Sequence, residues 1–256
     1  MKRVLATGTP ALLVASLTLV APSPVDAQIP ERFANLQVID ADISRPELIE
    51  MMRSFSFALG VRCSNCHAVS DGLDDPADDF ASDARPAKDR AREMLRMVRA
   101  INERFLAALP ERREPNVAVT CMTCHRGVRR PELLESVLFR VATNDGIDAA
   151  MARYQSLRER FYGRAAYDFG PRTLFSLGEM LVGADRPGEA IVVFRFILED
   201  SPDSAEAWLN IGAAEAAAGN REAAITAYRR VIEINPDGGW ASTAQRRIAE
   251  LGGGLQ

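Results

Sequence analysis

Cysteine and histidine are scarce in this chain of 256 residues, which has four of the first and two of the second. Lysine is scarcer than the count of 31 basic residues implies, because Lys2 and Lys88 are its only representatives and arginine supplies the rest. We attach no functional reading to that bias. Basic charge is not in excess: 35 acidic residues leave a formal net charge of −4. The electrostatic footprint of a nucleic-acid binder, whose affinity scales with the phosphates it neutralises, is therefore missing. Long apolar runs are missing too. No segment reaches the roughly twenty residues that a transmembrane helix requires, so no transmembrane anchor is expected in the mature chain. With 47% apolar and 26% charged residues the balance is that of a globular protein, which excludes disordered and fibrous classes.

What cysteine and histidine there is falls into a single pattern. Cys63-Ser64-Asn65-Cys66-His67 and Cys121-Met122-Thr123-Cys124-His125 are both C-x-x-C-H and leave no remainder. Two thiols three residues apart lie on one side of a helical turn and reach the two vinyl groups of one porphyrin. The next residue then directs its imidazole at the iron. C-x-x-C-H is the signature of covalent haem attachment. Two disulfides would have no use for a histidine after each pair. A zinc site needs four converging donors but no obligatory histidine at that position, and a thioredoxin-like pair needs one copy in a β-α-β frame. The expected cofactors are two covalently bound haem c groups. Cys63, Cys66, Cys121 and Cys124 would form the thioethers, with His67 and His125 as proximal iron ligands.

The compartment follows from the start of the chain. Lys2 and Arg3, an apolar run from Ala11 to Val20, and Val25-Asp26-Ala27 are the three parts of an export signal. Cleavage after Ala27 is expected, and with it a periplasmic location. No cysteine near that site offers lipid attachment.

Both histidines being used, neither iron can be bis-His, and methionine thioethers are the remaining strong-field candidates. Met/His ligation suits electron transfer. Ser44-Arg45-Pro46-Glu47 predicts a capping box that opens a helix running to Leu59 and ending at Gly60. Its apolar stripe is Leu48, Met52, Phe55 and Leu59, and Met51 lies one position round. A second helix is expected from about Ala87 to Leu109, with Met94, Val98, Ile101 and Phe105 as its buried stripe and Met97 beside it. Spacing does not choose between Met94 and Met97.

These residues resemble the family of the tetrahaem cytochrome subunit of photosynthetic reaction centres, and more closely its shorter dihaem relatives. The similarity spans roughly Pro46 to Arg130. It rests on Leu59-Gly60-Val61-x-Cys63-x-x-Cys66-His67, Phe80-Ala81-Ser82-Asp83, Met94-Leu95-x-Met97 with Ile101-Asn102, and Val119-Thr120-Cys121-x-x-Cys124-His125-Arg126-Gly127. The resemblance implies Met52 and Met94 as distal iron ligands, with Met51 and Met97 as alternates. Full-length members carry four haems and a ligating histidine on the second helix. Here Glu103 to Ala108 contains none, and the third and fourth motifs are absent, so the chain resembles half of that subunit.

Beyond Arg130 a different organisation is expected. Leu133 to Val141 reads as a connecting helix and Asn144-Asp145-Gly146 as a turn. Gly178 recurs as Gly212, Ala190 as Ala224, Phe194 as Tyr228 and Pro202 as Pro236, a period of 34 that resembles tetratricopeptide repeats. An imperfect earlier unit starts near Ile147, Gly239 to Leu251 reads as a capping helix, and about six helices are expected. The fold class is then mainly α: a signal peptide (1–27), a small dihaem c-type cytochrome domain (28–140) and a tetratricopeptide-like helical repeat domain (141–256). The acidic stretch of Asp71, Asp74, Asp75, Asp78, Asp79 and Asp83 lacks calcium-loop order and reads as a solvated loop. The function expected is one-electron transfer between a redox donor and acceptor, with a further protein partner at the repeats, and not enzymatic catalysis. A dihaem peroxidase or a haem-based redox sensor is the alternative.

Overall fold

The computed structural model describes residues 33–73, 75, 77–110 and 117–252. The expected signal peptide, its cleavage after Ala27, and Asp74 lie outside the described residues. Among those described, the chain forms ten α-helices, one 3-10 turn and one π-helical turn, and no strand. It divides into two units. One holds the residues up to Ile43 together with Cys63–Arg92, the other Ser44–Arg62 together with Glu93 onward.

The first unit is largely irregular and is organised by its acidic residues. Asp75 and Asp79 accept backbone N–H bonds from Ala77 (2.8 Å) and Ala81 (2.8 Å), closing short turns. Asp78 accepts from the Ser70 N–H at 2.6 Å, and Asp71 from the Ser64 hydroxyl at 2.5 Å. A single antiparallel bridge joins Ala68 to Asp79. These carboxylates thus build the loop, beyond the solvated role expected of them. Among the described residues no cluster of three or more His, Cys, Asp or Glu side chains could hold a metal ion.

In the second unit, α1 (Arg45–Leu59) forms as its caps dictate. Ser44 Oγ accepts from the Glu47 N–H at 3.4 Å, the Glu47 carboxylate accepts from the Ser44 N–H at 3.1 Å, and Pro46 occupies the first turn. Gly60 ends the helix at φ +63°. The helix α2 (Pro86–Ala100) begins in the first unit and passes into the second. There it widens into a π-helical turn over Ile101–Leu106, where Ala107 N–H bonds back to the Asn102 carbonyl at 3.1 Å.

The expected stripe on this second helix is not buried. Met94 is 43% and Phe105 58% exposed, Val98 and Ile101 are half-covered, and the buried side chain of α2 is Arg92. The reason is packing. An apolar stripe is buried only where another element covers it, and none of the described elements does so here. On α1 likewise only Leu48 and Ala58 are buried.

Most of the described core lies further on. After α3 (Cys121–His125) come α4 (Leu134–Asp145), α5 (Ile147–Phe161), α6 (Pro171–Gly183), α7 (Pro187–Asp200), α8 (Ala205–Ala217), α9 (Arg221–Ile234) and α10 (Gly239–Glu250). Leu138, Leu177, Leu181, Val193 and Phe194 are almost wholly buried in one core that runs from Val128 to Ala227, and Tyr228, Val231 and Ile248 form a second. The repeat period has a packing meaning. Gly178 faces the Phe194 ring and Gly212 the Tyr228 ring so closely that a β-carbon would overlap either one. Each pair is a small residue on the first helix of a hairpin receiving an aromatic from the second.

One expectation changes. The segment expected to end as a connecting helix at Val141 continues to Asp145, because Leu134, Leu138 and Ala142 are buried in the same core as α5 to α7. From Ile147 on, six helices follow as expected, α5 to α10, and residues 140 and 141 lie inside α4.

Candidate haem-binding motifs

In the first motif the chain coils through a 3-10 turn at Cys63–Asn65. Cys66 and His67 N–H groups both bond the Cys63 carbonyl, at 3.1 and 3.0 Å. This gathers two thiols and one imidazole on a single turn. The His67 ring stacks obliquely on Phe80 with centroids 5.3 Å apart, and its Nδ1 lies 2.9 Å from the Phe80 carbonyl oxygen. A carbonyl only accepts, so Nδ1 carries the proton and Nε2 keeps a free lone pair.

The Phe80 carbonyl is itself held in place. Lys88 Nζ donates to the carbonyls of Phe80, Ala81 and Ser82 at 3.0, 2.8 and 2.9 Å, and lies 3.2 Å from the Asp83 carboxylate. Asp83 also accepts from Arg92 at 2.8 Å and from the Asn35 amide at 2.9 Å. These donors, Arg92 first, hold the Asp83 carboxyl below the usual carboxylate range. Burial pushes the His67 imidazole below its ordinary value. The bond to Phe80 opposes that shift, and the positive charges of Lys88 and Arg92 add to it.

The second motif is α3 itself, entered through Thr120, whose N–H bonds the Thr123 hydroxyl at 3.0 Å. The His125 Nδ1 lies 3.0 Å from the Val128 carbonyl, so this imidazole also presents a free Nε2. Asn102, in the π-helical turn, clamps the approach to the motif. Its amide donates to the Val119 carbonyl and its oxygen accepts the Val119 N–H, both at 2.8 Å. Beyond His125, Arg126 and Gly127 take left-handed φ values of +49° and +87°. Gly127 N–H then bonds the Ala58 carbonyl at 2.8 Å, which joins the end of α1 to the motif. Arg126 donates to the Ala165 carbonyl at 3.2 Å, and Arg130 pairs with Glu132.

None of the four cysteines is in a disulfide. Burial pushes the Cys121 thiol up, the reverse of what a reactive redox thiol needs. Among the described residues no three donors converge at either motif in the manner of a zinc site. The residues do fit a covalent haem: two free thiols and an imidazole with its outer nitrogen bonded to a backbone carbonyl, twice over. That outer bond is the usual orienting partner of a metal-bound histidine. Of the expected distal residues, Met94 and Met97 stand on α2, 43% and 44% exposed, while Met51 and Met52 are half-buried on α1.

Sequence reasoning named all the motif residues but not the side chains that orient them. Asn102 and Asp83 lie in segments that carried the family resemblance, yet their partners Val119 and Asn35 are 17 and 48 residues away. Lys88 left no signal beyond its rarity.

Comparison with known proteins agrees with this reading of the two segments. A family model of the photosynthetic reaction centre cytochrome C subunit matches residues 74–175, from the loop after the first motif, through the second, into α6. A tetratricopeptide repeat model matches residues 181–248. Cytochrome c-554 of Chloroflexus aurantiacus is 38% identical over 91 residues, covering 36% of this chain. The chain spans only 20% of that relative's length. Among solved structures, PcrH from Pseudomonas aeruginosa is similar over 46% of this chain and 89% of its own, with 12% identity and a TM-score of 0.33. MamA is similar over 44% of this chain and 63% of its own, with 22% identity and a TM-score of 0.30. The cytochrome segment is thus similar to the photosynthetic reaction centre cytochrome C subunit over residues 74–175, and the helices that follow are similar to tetratricopeptide repeats over residues 181–248.

Proposed function

We propose that this chain is a periplasmic dihaem c-type cytochrome that carries single electrons between protein partners and docks one of them through its repeats. The observation that supports it most is the matched state of the two histidines, each with Nδ1–H given to a backbone carbonyl and each following two free cysteines in sequence. Haem held there would supply a ferrous/ferric couple. The protein's own residues hold, orient and cover it. Cys63, Cys66, Cys121 and Cys124 bond it covalently, and the Phe80 and Val128 carbonyls fix the ring planes of His67 and His125. Met52 and Met94 would serve as the distal iron ligands, with Met51 and Met97 as alternates. The uncovered apolar side chains of α2 are the surface that a porphyrin face requires.

We place the cytochrome segment at residues 28–140 and the repeat domain at residues 141–256, with an export signal removed after Ala27. No helix among the described residues is long and apolar enough to cross a membrane.

The test is a pyridine haemochrome spectrum with an intact mass on exported protein. Two covalent haems per chain are expected. A colourless chain, bound zinc or paired cystines would overturn the reading. Met52→Ala and Met94→Ala should each lower one midpoint potential and open one iron to carbon monoxide. Carbon monoxide binding to the unmodified reduced protein, or turnover of hydrogen peroxide, would argue against a closed electron carrier.

A further inference from the structure

Among the described residues Lys88 is the only lysine, and it points inward, its side chain 12% exposed. Its ammonium sits in a nest of three consecutive carbonyls, and the first of them, Phe80, is the acceptor that orients His67. One oxygen thus receives His67 Nδ1–H at 2.9 Å and Lys88 Nζ at 3.0 Å. A carbonyl has two lone pairs, so both bonds form, but they are not independent. A charged donor makes the stronger bond and draws electron density from the shared oxygen. The imidazole is left with a poorer acceptor and retains its own Nδ1 proton more tightly. Asp83, 3.2 Å from Lys88 and 2.8 Å from Arg92, counterbalances these cations.

We infer that Lys88 is a positioning residue that raises the reduction potential of the haem held by His67, by weakening the bond from His67 Nδ1–H to the Phe80 carbonyl. The inference rests on the haem ligation proposed above. A histidine whose Nδ1–H is held strongly becomes imidazolate-like and stabilises ferric iron; one held weakly does so less. The positive charge acts in the same direction, since it disfavours the oxidised, more positive state. Asp83 opposes it. The same cluster therefore contains a residue whose loss lowers the potential and one whose loss raises it. A purely structural role would not produce opposite signs.

The experiment uses the full exported chain with both haems attached and reads both midpoint potentials by spectroelectrochemical titration. Lys88→Gln keeps a donor and removes the charge, Lys88→Met removes both, and Asp83→Asn removes the counter-charge. Expected is a downward shift of one midpoint in the two Lys88 variants, an upward shift of the same midpoint in Asp83→Asn, and an unchanged second midpoint throughout. Histidine labelled with nitrogen-15 gives an independent readout, because the chain has two histidines. In the reduced protein one Nδ1–H resonance should move downfield in Lys88→Gln, as its hydrogen bond strengthens, while the other stays. Unmoved potentials with both haems in place, or shifts of one sign in Lys88→Gln and Asp83→Asn, would overturn the inference. If the Lys88 variants do not fold, Asp83→Asn decides alone: an upward shift supports it, and no shift or a downward one refutes it. Failure of the haem reading shows differently, as an unmodified protein without haem.

Discussion

Replacing Gly60 by alanine tests the junction between α1 and the second motif. Gly60 sits at φ +63°, a left-handed conformation that costs a residue with a β-carbon about 1 kcal/mol or more. The new β-carbon would also fall on the Gly127 carbonyl oxygen, well inside van der Waals contact. Gly127 has little room to retreat, because its N–H bonds the Ala58 carbonyl at 2.8 Å; losing this bond costs roughly 1 kcal/mol. Together these effects give a local destabilisation of about 2–4 kcal/mol, the range of an overpacked or strained backbone site. Gly127→Ala is the matched control. Its φ is +87°, yet nothing lies within 4 Å of its would-be β-carbon, so only the conformational cost remains. Hydrogen exchange at the Gly127 and Val61 amides reads the local opening, and denaturant titration the wider effect. At about 1.4 kcal/mol per tenfold, the steric excess of Gly60→Ala should speed exchange at Val61 on the order of tenfold beyond Gly127→Ala. Equal effects of the two substitutions would refute the close approach and with it the anchoring of the motif on α1.

Asn102→Ala removes both bonds to Val119 and should destabilise the entry to the second motif by about 1–3 kcal/mol, seen as lost exchange protection of the Val119 amide. Gly212→Ala forces a β-carbon into the Tyr228 ring and should cost about 1–3 kcal/mol in denaturant unfolding, partly recovered when Tyr228 is shortened to leucine. Asp83 governs the acid limb. Its carboxyl is depressed in the folded protein, so the stabilisation is complete above the unfolded value near pH 4 and is lost as pH falls toward the lower folded value. Thermal melts from pH 7 down to 2 should show a decline below about pH 4 that Asp83→Asn reduces; an identical decline in the variant would remove Asp83 from the account.

Much of the local structure was legible because it depends on neighbours in sequence. The Ser44–Glu47 capping box, the Gly60 stop, and the coil that puts Cys63, Cys66 and His67 on one turn are short-range geometry, and each is found where the residues predicted it. The period of 34 was legible for a related reason: it records one packing solution, glycine against aromatic, used at Gly178–Phe194 and again at Gly212–Tyr228. The apolar stripe of α2 was read correctly as a pattern and wrongly as a buried face, because periodicity says which side chains share a face and not what covers it. The extent of α4 was misjudged likewise, since Leu134 and Leu138 reveal their purpose only when α5 and α6 pack on them.

The sequence by itself determined the chemistry on offer: four thiols and two imidazoles in two identical five-residue frames, with methionine left as the candidate sixth ligand. Only the tertiary structure decided the state in which that chemistry is presented. Which nitrogen of His67 and of His125 faces outward depends on carbonyls at Phe80 and Val128. Whether the Phe80 carbonyl is shared with a cation depends on Lys88 folding back across a loop that Asn35, Asp83 and Arg92 close. Hydrogen bonds between residues far apart in the chain have no period and no motif, and so they become visible only once the chain has folded.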